Sequence, residues 1–184
     1  DVMALVSYGM LVSLDGYIAD PDGQITLPVP GAELHRSFNQ RQRAAAVSVY
    51  GRRMWEVMSY WGEPDSDRDD VGQEFALEWM RTPKVVFSRS LSGVPEGVTL
   101  IATDAVAAVR ELKAETEGEI DVSGARLAAS LGAAGLIDEY LLFAQPVVLG
   151  RGTPFFADGF RPELRLIGTE LLPDDVVLTR YAPR

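Results

Sequence analysis

Segments with the pattern of β-strands alternate with segments of helical pattern along most of the chain, and this order restricts the fold more than any other feature. The first strand, residues 4–12, is apolar almost throughout, as expected of a central strand buried on both faces. Strands that alternate with helices predict an α/β fold, with a mostly parallel, twisted sheet and helices on both of its faces. Two final strands, about 163–171 and 176–182, are separated by the turn formers of residues 172–175 and predict a C-terminal antiparallel hairpin.

Between these ends the same reading predicts further strands at 47–50, 84–88, 98–102, 119–123 and 140–149, and helices at 32–45, 73–80, 105–115 and 125–134. It also predicts a helix after Gly51 that carries Met54, Trp55, Val57 and Met58. The strand 140–149 contains Pro146, which has no backbone N–H, so we expect that half of it to lie at an edge or to form a bulge. The acidic run 63–70 is typical of a surface loop. We find no repeat or linker, which predicts one domain over residues 1–184.

Composition narrows the classes of partner. The formal net charge of -10 argues against nucleic acid or an anionic membrane as a bulk partner, although a few arginines can still bind one anionic ligand. The absence of cysteine excludes thiol catalysis and zinc–thiolate sites, and the single histidine, His35, excludes a multi-histidine metal site. We therefore expect no metal and no membrane span. We expect a cytoplasmic protein, in which residues 4–12 form a strand rather than a signal peptide.

Three strand-to-helix or strand-to-loop turns carry the chemistry of an anion site. In the first, Gly51 ends a strand, and Arg52 and Arg53 open a helix. Glycine lets backbone approach a ligand closely, the helix start offers free N–H groups, and the arginines are suited to phosphate. The alternative is a plain helix start with solvated arginines, and this segment alone does not decide between them.

The other two turns repeat the same theme. Ser88 and Arg89 follow one strand, and Ser123 to Arg126 follow another and open a helix, without matching the G-x-G-x-x-G pattern. Each also has a purely structural alternative. The turn at Ser88 and Arg89 would then be a plain polar turn, and the turn at Ser123–Arg126 would be a tight turn in which only small residues fit. Because ligands bind beyond the carboxyl ends of strands in open α/β sheets, the three turns together predict a site for one extended, anionic ligand.

The segments 13–19, 50–56, 84–89, 124–128 and 146–156, in this order, resemble those of bacterial dihydrofolate-reductase-like proteins related to the reductase domain of the bifunctional riboflavin-biosynthesis enzyme. The resemblance covers about residues 4–182. It implies a dihydrofolate-reductase-like three-layer fold, a homodimer and NADPH as the hydride donor. The cofactor residues that it implies are Ala19, Gly51, Arg52, Arg53, Met54, Ser88, Arg89, Ser123, Gly124, Ala125, Arg126 and Leu127.

Within that set, the family turn at Gly51–Met54 holds the adenosine-side phosphates, and its paired arginines favour the 2′-phosphate of NADPH. Ser88 and Arg89 match the turn beside the adenine ribose, and Ser123–Arg126 match the glycine-rich turn under the pyrophosphate. Dihydrofolate reductases begin that last turn with two glycines, whereas this chain has Ser123 in place of the first.

The residues expected near the substrate differ from those of both dihydrofolate reductases and the riboflavin-pathway reductase. Dihydrofolate reductases carry a substrate carboxylate on the first long helix, but the residues around Glu33 do not match that motif. The riboflavin-pathway reductase has a glutamate where this chain has Val122. We take Asp15 as the first candidate for a catalytic carboxylate, with a turn-capping role as its alternative.

Aromatic residues near the predicted substrate end also have two readings. Tyr17 and Trp61 are candidates to stack on a flat substrate or to pack in the core, and we expect His35 to be a surface or interface residue.

Two functions follow from these residues. The first is an NADPH-dependent reductase that transfers a hydride to a C=N or C=O bond of a small heterocycle, pterin- or pyrimidine-like, or of a related metabolite. The alternative is a nucleotide-binding sensor that keeps the NADPH site without turnover, because the family carboxylates are missing. A third reading is a structural or interaction module, in which an apolar edge strand around 140–149 pairs two subunits, and it is compatible with either function.

Overall fold

The computed structural model describes residues 3–184, so residues 1 and 2 of the predicted single domain lie outside the described residues. The strands are β1 (Leu5–Val12), β2 (Tyr17–Ala19), β3 (Ala45–Gly51), β4 (Lys84–Phe87), β5 (Val98–Ile101), β6 (Glu119–Ser123), β7 (Glu139–Ala144), β8 (Thr153–Pro154), β9 (Leu164–Leu171) and β10 (Val177–Pro183). The helices are α1 (Ala32–Ala44), α2 (Arg52–Met58), α3 (Asp70–Arg81), α4 (Ala105–Glu115) and α5 (Ala125–Ala133), with short 3₁₀ turns at Ser59–Gly62 and Pro173–Asp175.

Eight strands form one sheet in the order β5-β4-β3-β6-β1-β7-β10-β9. The pairs from β5 to β7 are parallel, and β10 runs antiparallel to both β7 and β9. This confirms the predicted fold class, a mostly parallel sheet that ends in an antiparallel hairpin.

The prediction of an edge strand at 140–149 is wrong. The strand β7 ends at Ala144 and lies between β1 and β10, where both of its sides are paired. Pro146 lies beyond the end of the strand, so its missing N–H interrupts no ladder. The edges of this sheet are β5 and β9 instead.

Side chains on the two faces of the sheet enter different cores. On β1, Val6 and Tyr8 are buried in the cluster that contains Val109 of α4 and Leu131 of α5. Ser7, between them, points to the opposite face and hydrogen-bonds to a side chain of α1. The alternation follows from the two-residue repeat of a strand and produces the three layers, with α4 and α5 on one face and α1 and α3 on the other.

The segment after β1, which the sequence marks only as turns, contains a further short pairing. Here β2 pairs antiparallel with β8, at a distance of more than 130 residues along the chain. Gly152 passes directly against the carbonyl oxygen of Ala19, where a Cβ atom would collide with it. Glycine is therefore needed at this point for close approach of the two backbones. No helix among residues 3–184 is long and apolar enough to cross a membrane.

The substitution Gly152→Ala should destabilise the protein by about 1–3 kcal/mol, because the new methyl group meets rigid backbone rather than a movable side chain. The matched control is Gly93→Ala, since nothing lies within 4 Å of the added Cβ there, and its effect should stay within about 0.5 kcal/mol. Urea unfolding of the three proteins measures both values. Equal stability of the two variants would contradict the close approach.

Candidate functional site

The three predicted anion turns lie side by side. They follow β4, β3 and β6, which are neighbours in the sheet and run parallel, so their carboxyl ends meet at one edge. The register pairs Tyr50 with Ser123 and Gly51 with Phe87 at this edge. The topology therefore brings the three turns to one edge of the sheet, where ligands bind in open α/β sheets.

Glycine is required where the turns after β3 and β6 touch. Gly124 has φ of 122°, a conformation that L side chains rarely adopt, and an added Cβ would lie 3.5 Å from the backbone nitrogen of Gly51. Gly124 is also the residue that precedes α5, and no side chain caps this helix start. The first N–H groups of α5 are consequently available to a ligand.

A hydrogen bond links the first and second turns. The Nη1 atom of Arg52 donates to the Oγ atom of Ser90 at 2.7 Å, and its Nε atom pairs with Glu56 at 2.9 Å. Ser88 shapes the second turn by accepting hydrogen bonds from the backbone nitrogens of Ser90 and Leu91. Arg52 is thus held at the mouth of the site while its side chain remains about half exposed.

The turns border a groove of about 380 Å³, which we call the turn groove. Most of the predicted cofactor residues line it, namely Ala19, Gly51, Arg52, Arg53, Met54, Gly124, Ala125, Arg126 and Leu127. Arg53 also lies over Gly23 of the loop after β2, where an added Cβ would be 2.5 Å from its Nη1 atom. Ser88 and Arg89 lie beside the groove at the end of β4 and do not line it.

A second cavity of about 330 Å³, the helix pocket, lies between α1 and the sheet. It shares four apolar residues with the turn groove, Ile18, Ile25, Met54 and Val57, so the two cavities meet along an aliphatic border. Ser123 lines the helix pocket, one residue before Gly124 of the turn groove. The two cavities are therefore adjacent, and we call the pair the cleft and each cavity a compartment of it.

A charged cluster forms the polar part of the helix pocket. The Nη2 atom of Arg41, on α1, lies 3.0 Å from Asp121 Oδ1 and 3.2 Å from Glu119 Oε1, and it donates to Ser7 Oγ at 2.9 Å. Arg41 and Asp121 line the pocket, whereas Glu119 does not. Burial raises the pKa of the Asp121 carboxyl, and Arg41 opposes this rise while Glu119 adds to it.

An aromatic wall closes the opposite side of the pocket. His35 lies with its ring centroid 5.7 Å from that of Trp61 and 5.3 Å from that of Phe75, and all three line the pocket. Burial lowers the pKa of His35, and the nearby charge of Asp69 opposes the shift. His35 is intermediate in exposure and packs against aromatic residues of the first 3₁₀ turn and α3, so the expectation that it is a surface or interface residue stays a prediction. Trp61 packs with aromatic neighbours and also lines the pocket, so core packing and contact with a substrate are compatible at this position.

The remaining substrate-end candidates lie elsewhere. Glu33 is exposed on α1 and Tyr17 pairs with Pro154, and neither lines a compartment of the cleft. Val122 is fully buried in the core on the α4 and α5 face of the sheet.

The carboxylate of Asp15 is engaged in hydrogen bonds at the turn after β1. It accepts hydrogen bonds from Ser13 Oγ at 2.6 Å and from the backbone nitrogens of Leu149 at 3.1 Å and Gly150 at 2.7 Å. These bonds lower the pKa of Asp15, that from Ser13 most. Asp15 lines neither compartment, and the turn-capping alternative accounts for its contacts. A catalytic role for it stays a prediction.

The structure therefore predicts that Asp15→Ala lowers the Tm at pH 7, because two backbone N–H groups and the Ser13 hydroxyl lose their acceptor. The native pKa is below that of the unfolded chain, so this contribution is present above about pH 4 and is lost as the pH falls through the native value. Melting curves from pH 7 to pH 3 should show the wild type and the variant converging in acid. A difference in Tm between the two proteins that stays constant from pH 7 to pH 3 would contradict the stabilising role of the ionised Asp15.

Sequence reasoning missed Arg41 and Asp121. The strand β6 reads Glu-Ile-Asp-Val-Ser, with polar residues at alternate positions, in a segment predicted to be a strand. That alternation was the available signal, because polar residues on one face of an interior strand need partners in the layer above.

The comparisons with known proteins agree with this fold. Residues 4–178 match the family described as the RibD C-terminal domain, and the chain belongs to this family. The predicted family resemblance is thereby confirmed.

Individual relatives extend over nearly the whole chain. The uncharacterized protein YyaP of Bacillus subtilis (strain 168) is 27% identical over 176 residues, which are 94% of this chain and 91% of that protein. The structure of a candidate riboflavin biosynthesis protein from Shewanella sp. PV-4 is 25% identical, with a TM-score of 0.73 over 98% of this chain and 99% of the other.

Two more distant structures share the fold. RibD of Acinetobacter baumannii is 15% identical with a TM-score of 0.72, and the match covers 99% of this chain but 58% of that one. A dihydrofolate reductase from Enterococcus faecalis, complexed with NADP(H), is 14% identical with a TM-score of 0.62 over 98% of this chain and 96% of the other. The dihydrofolate-reductase-like fold is thus established.

Proposed function

We propose that this protein is an NADPH-dependent reductase that transfers a hydride to a small heterocyclic, pterin- or pyrimidine-like, or related metabolite. The observation that carries the proposal is the two-compartment cleft. An anion-binding turn groove and an apolar-walled helix pocket meet at Ile18 and Met54, as a hydride donor and its acceptor require.

The residues of the turn groove fit a dinucleotide. Gly124 allows backbone to approach a pyrophosphate, and the uncapped start of α5 offers N–H donors to it. Arg52 and Arg53 provide guanidinium groups for the additional phosphate that distinguishes NADPH from NADH. The bound cofactor would supply the hydride. The dihydrofolate reductase of Enterococcus faecalis, which shares this fold, is complexed with NADP(H), and this supports the choice of cofactor.

The helix pocket fits the acceptor molecule. Its walls include Leu11, Phe38, Trp61 and Phe143, which exclude water and present flat aromatic surface. Ile18 and Ile25 come from the segment after β1 and cover the border between the compartments. These residues orient and shield the acceptor.

A sensor without turnover remains the second candidate, and one observation favours it. The residues of α1 that line the helix pocket are His35, Phe38, Arg41 and Gln42, so the helix presents no carboxylate there. Oxidation of NADPH, followed by its absorbance with a panel of pterins, pyrimidinones and quinones, distinguishes the two functions. Turnover with any member excludes the sensor.

The variants Arg52→Ala and Arg53→Ala should each weaken NADPH binding about tenfold or more, because each removes a charged hydrogen-bond donor to phosphate. NADH binding should change much less, since NADH lacks the 2′-phosphate. Fluorescence titration with both cofactors measures the difference.

The matched control is Arg110→Ala, which removes the same charge from the exposed surface of α4, outside both compartments. It should leave NADPH affinity unchanged. Failure of the wild type to bind NADPH at micromolar concentrations would refute the proposed function.

We also propose a homodimer that pairs through β9. This edge strand has unpaired backbone groups on its outer side and exposes Leu166 at 56% and Leu171 at 75%. Two copies of β9 in antiparallel contact would satisfy the backbone and cover these side chains around a two-fold axis.

Light scattering should give the mass of two chains for the wild type and of one chain for a Leu166→Lys, Leu171→Lys double variant. The control Leu77→Lys replaces an equally exposed leucine on α3 and should remain dimeric. A monomeric wild type would refute the dimer, and a dimeric double variant would place its interface elsewhere.

A further inference from the structure

The carboxylate of Asp121 has no role in the function proposed above, although it lies inside the acceptor compartment. It is two residues before Ser123, on the same face of β6, so the strand repeat places the two Cα atoms about 7 Å apart, and Ser123 directly precedes Gly124 of the turn groove. Its side chain retains 17% of its accessible surface. An ionisable group is thus placed next to the position where an acceptor would meet the cofactor.

The contacts of Arg41 fix the direction of this carboxylate. Arg41 reaches Asp121 across Gly9 of β1, where an added Cβ would lie 3.4 Å from its Nη2 atom. The guanidinium engages Oδ1 of Asp121, while Ser7 and Glu119 hold the same Nη2 atom from the other side. A carboxylate held in this way is oriented before any ligand arrives.

The charges of the cluster limit what the pocket can accept. One guanidinium faces two carboxylates, so the cluster has a net charge of -1 when all three groups are ionised. An acidic substituent placed here would be repelled. A carboxylate only accepts hydrogen bonds, so the favourable partner is an N–H donor.

We propose that Asp121 is a substrate-binding residue that selects a flat heterocycle with N–H donors along one edge, and that Arg41 is its positioning residue. The inference rests on the proposed reductase function. It reverses the arrangement in dihydrofolate reductases, where the carboxylate is on the first helix. Here the helix provides the cation and the neighbouring strand provides the carboxylate.

The experiment measures binding of 2-aminopyrimidin-4-one and of its N3-methyl derivative by calorimetry, with NADP⁺ at saturation. The wild type should bind the parent compound, and methylation should weaken binding about 10- to 100-fold, the effect of one hydrogen bond to a charged group. This comparison needs no variant and is therefore independent of folding. Equal binding of the two compounds, or no binding of either, would overturn the proposal.

Four variants assign the effect to the residues that cause it. Asp121→Asn should weaken binding of the parent compound about 10- to 100-fold and remove the difference in affinity between the two compounds. The matched control Glu139→Gln makes the same change in a partly buried carboxylate that pairs with Arg180 outside both compartments, and it should preserve that difference. Arg41→Lys should retain more of the difference in affinity between the two compounds than Arg41→Met does. If Arg41 had only a structural role, its variants would alter the Tm and leave that difference unchanged.

The outcomes separate the two proposals. If the wild type binds NADPH but binds the parent compound and its N3-methyl derivative equally, the role of Asp121 is refuted and the reductase proposal stands. Equal losses in Asp121→Asn and in the control Glu139→Gln would also refute the role of Asp121. Absence of NADPH binding refutes the reductase, and the inference about Asp121 falls with it.

Discussion

The close approach of two backbone turns, at Gly124 and Gly51, is the constraint on which the rest of the cleft depends. The two residues follow neighbouring parallel strands, so the sheet itself brings their turns together. A side chain on Gly124 would need a conformation that L residues rarely adopt. Because this contact is made by backbone, the start of α5 and the arginines of α2 are held at fixed positions relative to each other.

Much of the fold could be predicted from sequence because its signals are local. The period of apolar residues marked the helices, and turn formers marked the final hairpin. The observed α1, Ala32–Ala44, agrees with the predicted 32–45 because one apolar face and the following strand pattern bound it. The anion turns were recognisable for the same reason, since each occupies a few consecutive residues at a strand end.

The parts that sequence reasoning missed depend on distant pairs. Arg41 and Asp121 are 80 positions apart, and only the topology of the sheet brings α1 over β6. The place of β7 inside the sheet depends on β10, which returns from the end of the chain. His35 likewise reads as a polar residue on a helix until Trp61 and Phe75 are placed around it. The polar alternation of β6 indicates that Asp121 needs a partner, but a single sequence contains no local signal for which distant residue that partner is.

The aliphatic border of the cleft separates two regions of opposite charge. Arg52, Arg53 and Arg126 lie on one side of it, and the Asp121 cluster, which has a net charge of -1 when its three groups are ionised, lies on the other. Within a chain of net charge -10, the cleft is therefore an electric dipole of its own. A molecule with an acidic end and an N–H-rich end would be turned by this field before it touched the protein, so that orientation begins during diffusional approach and weakens as ionic strength rises.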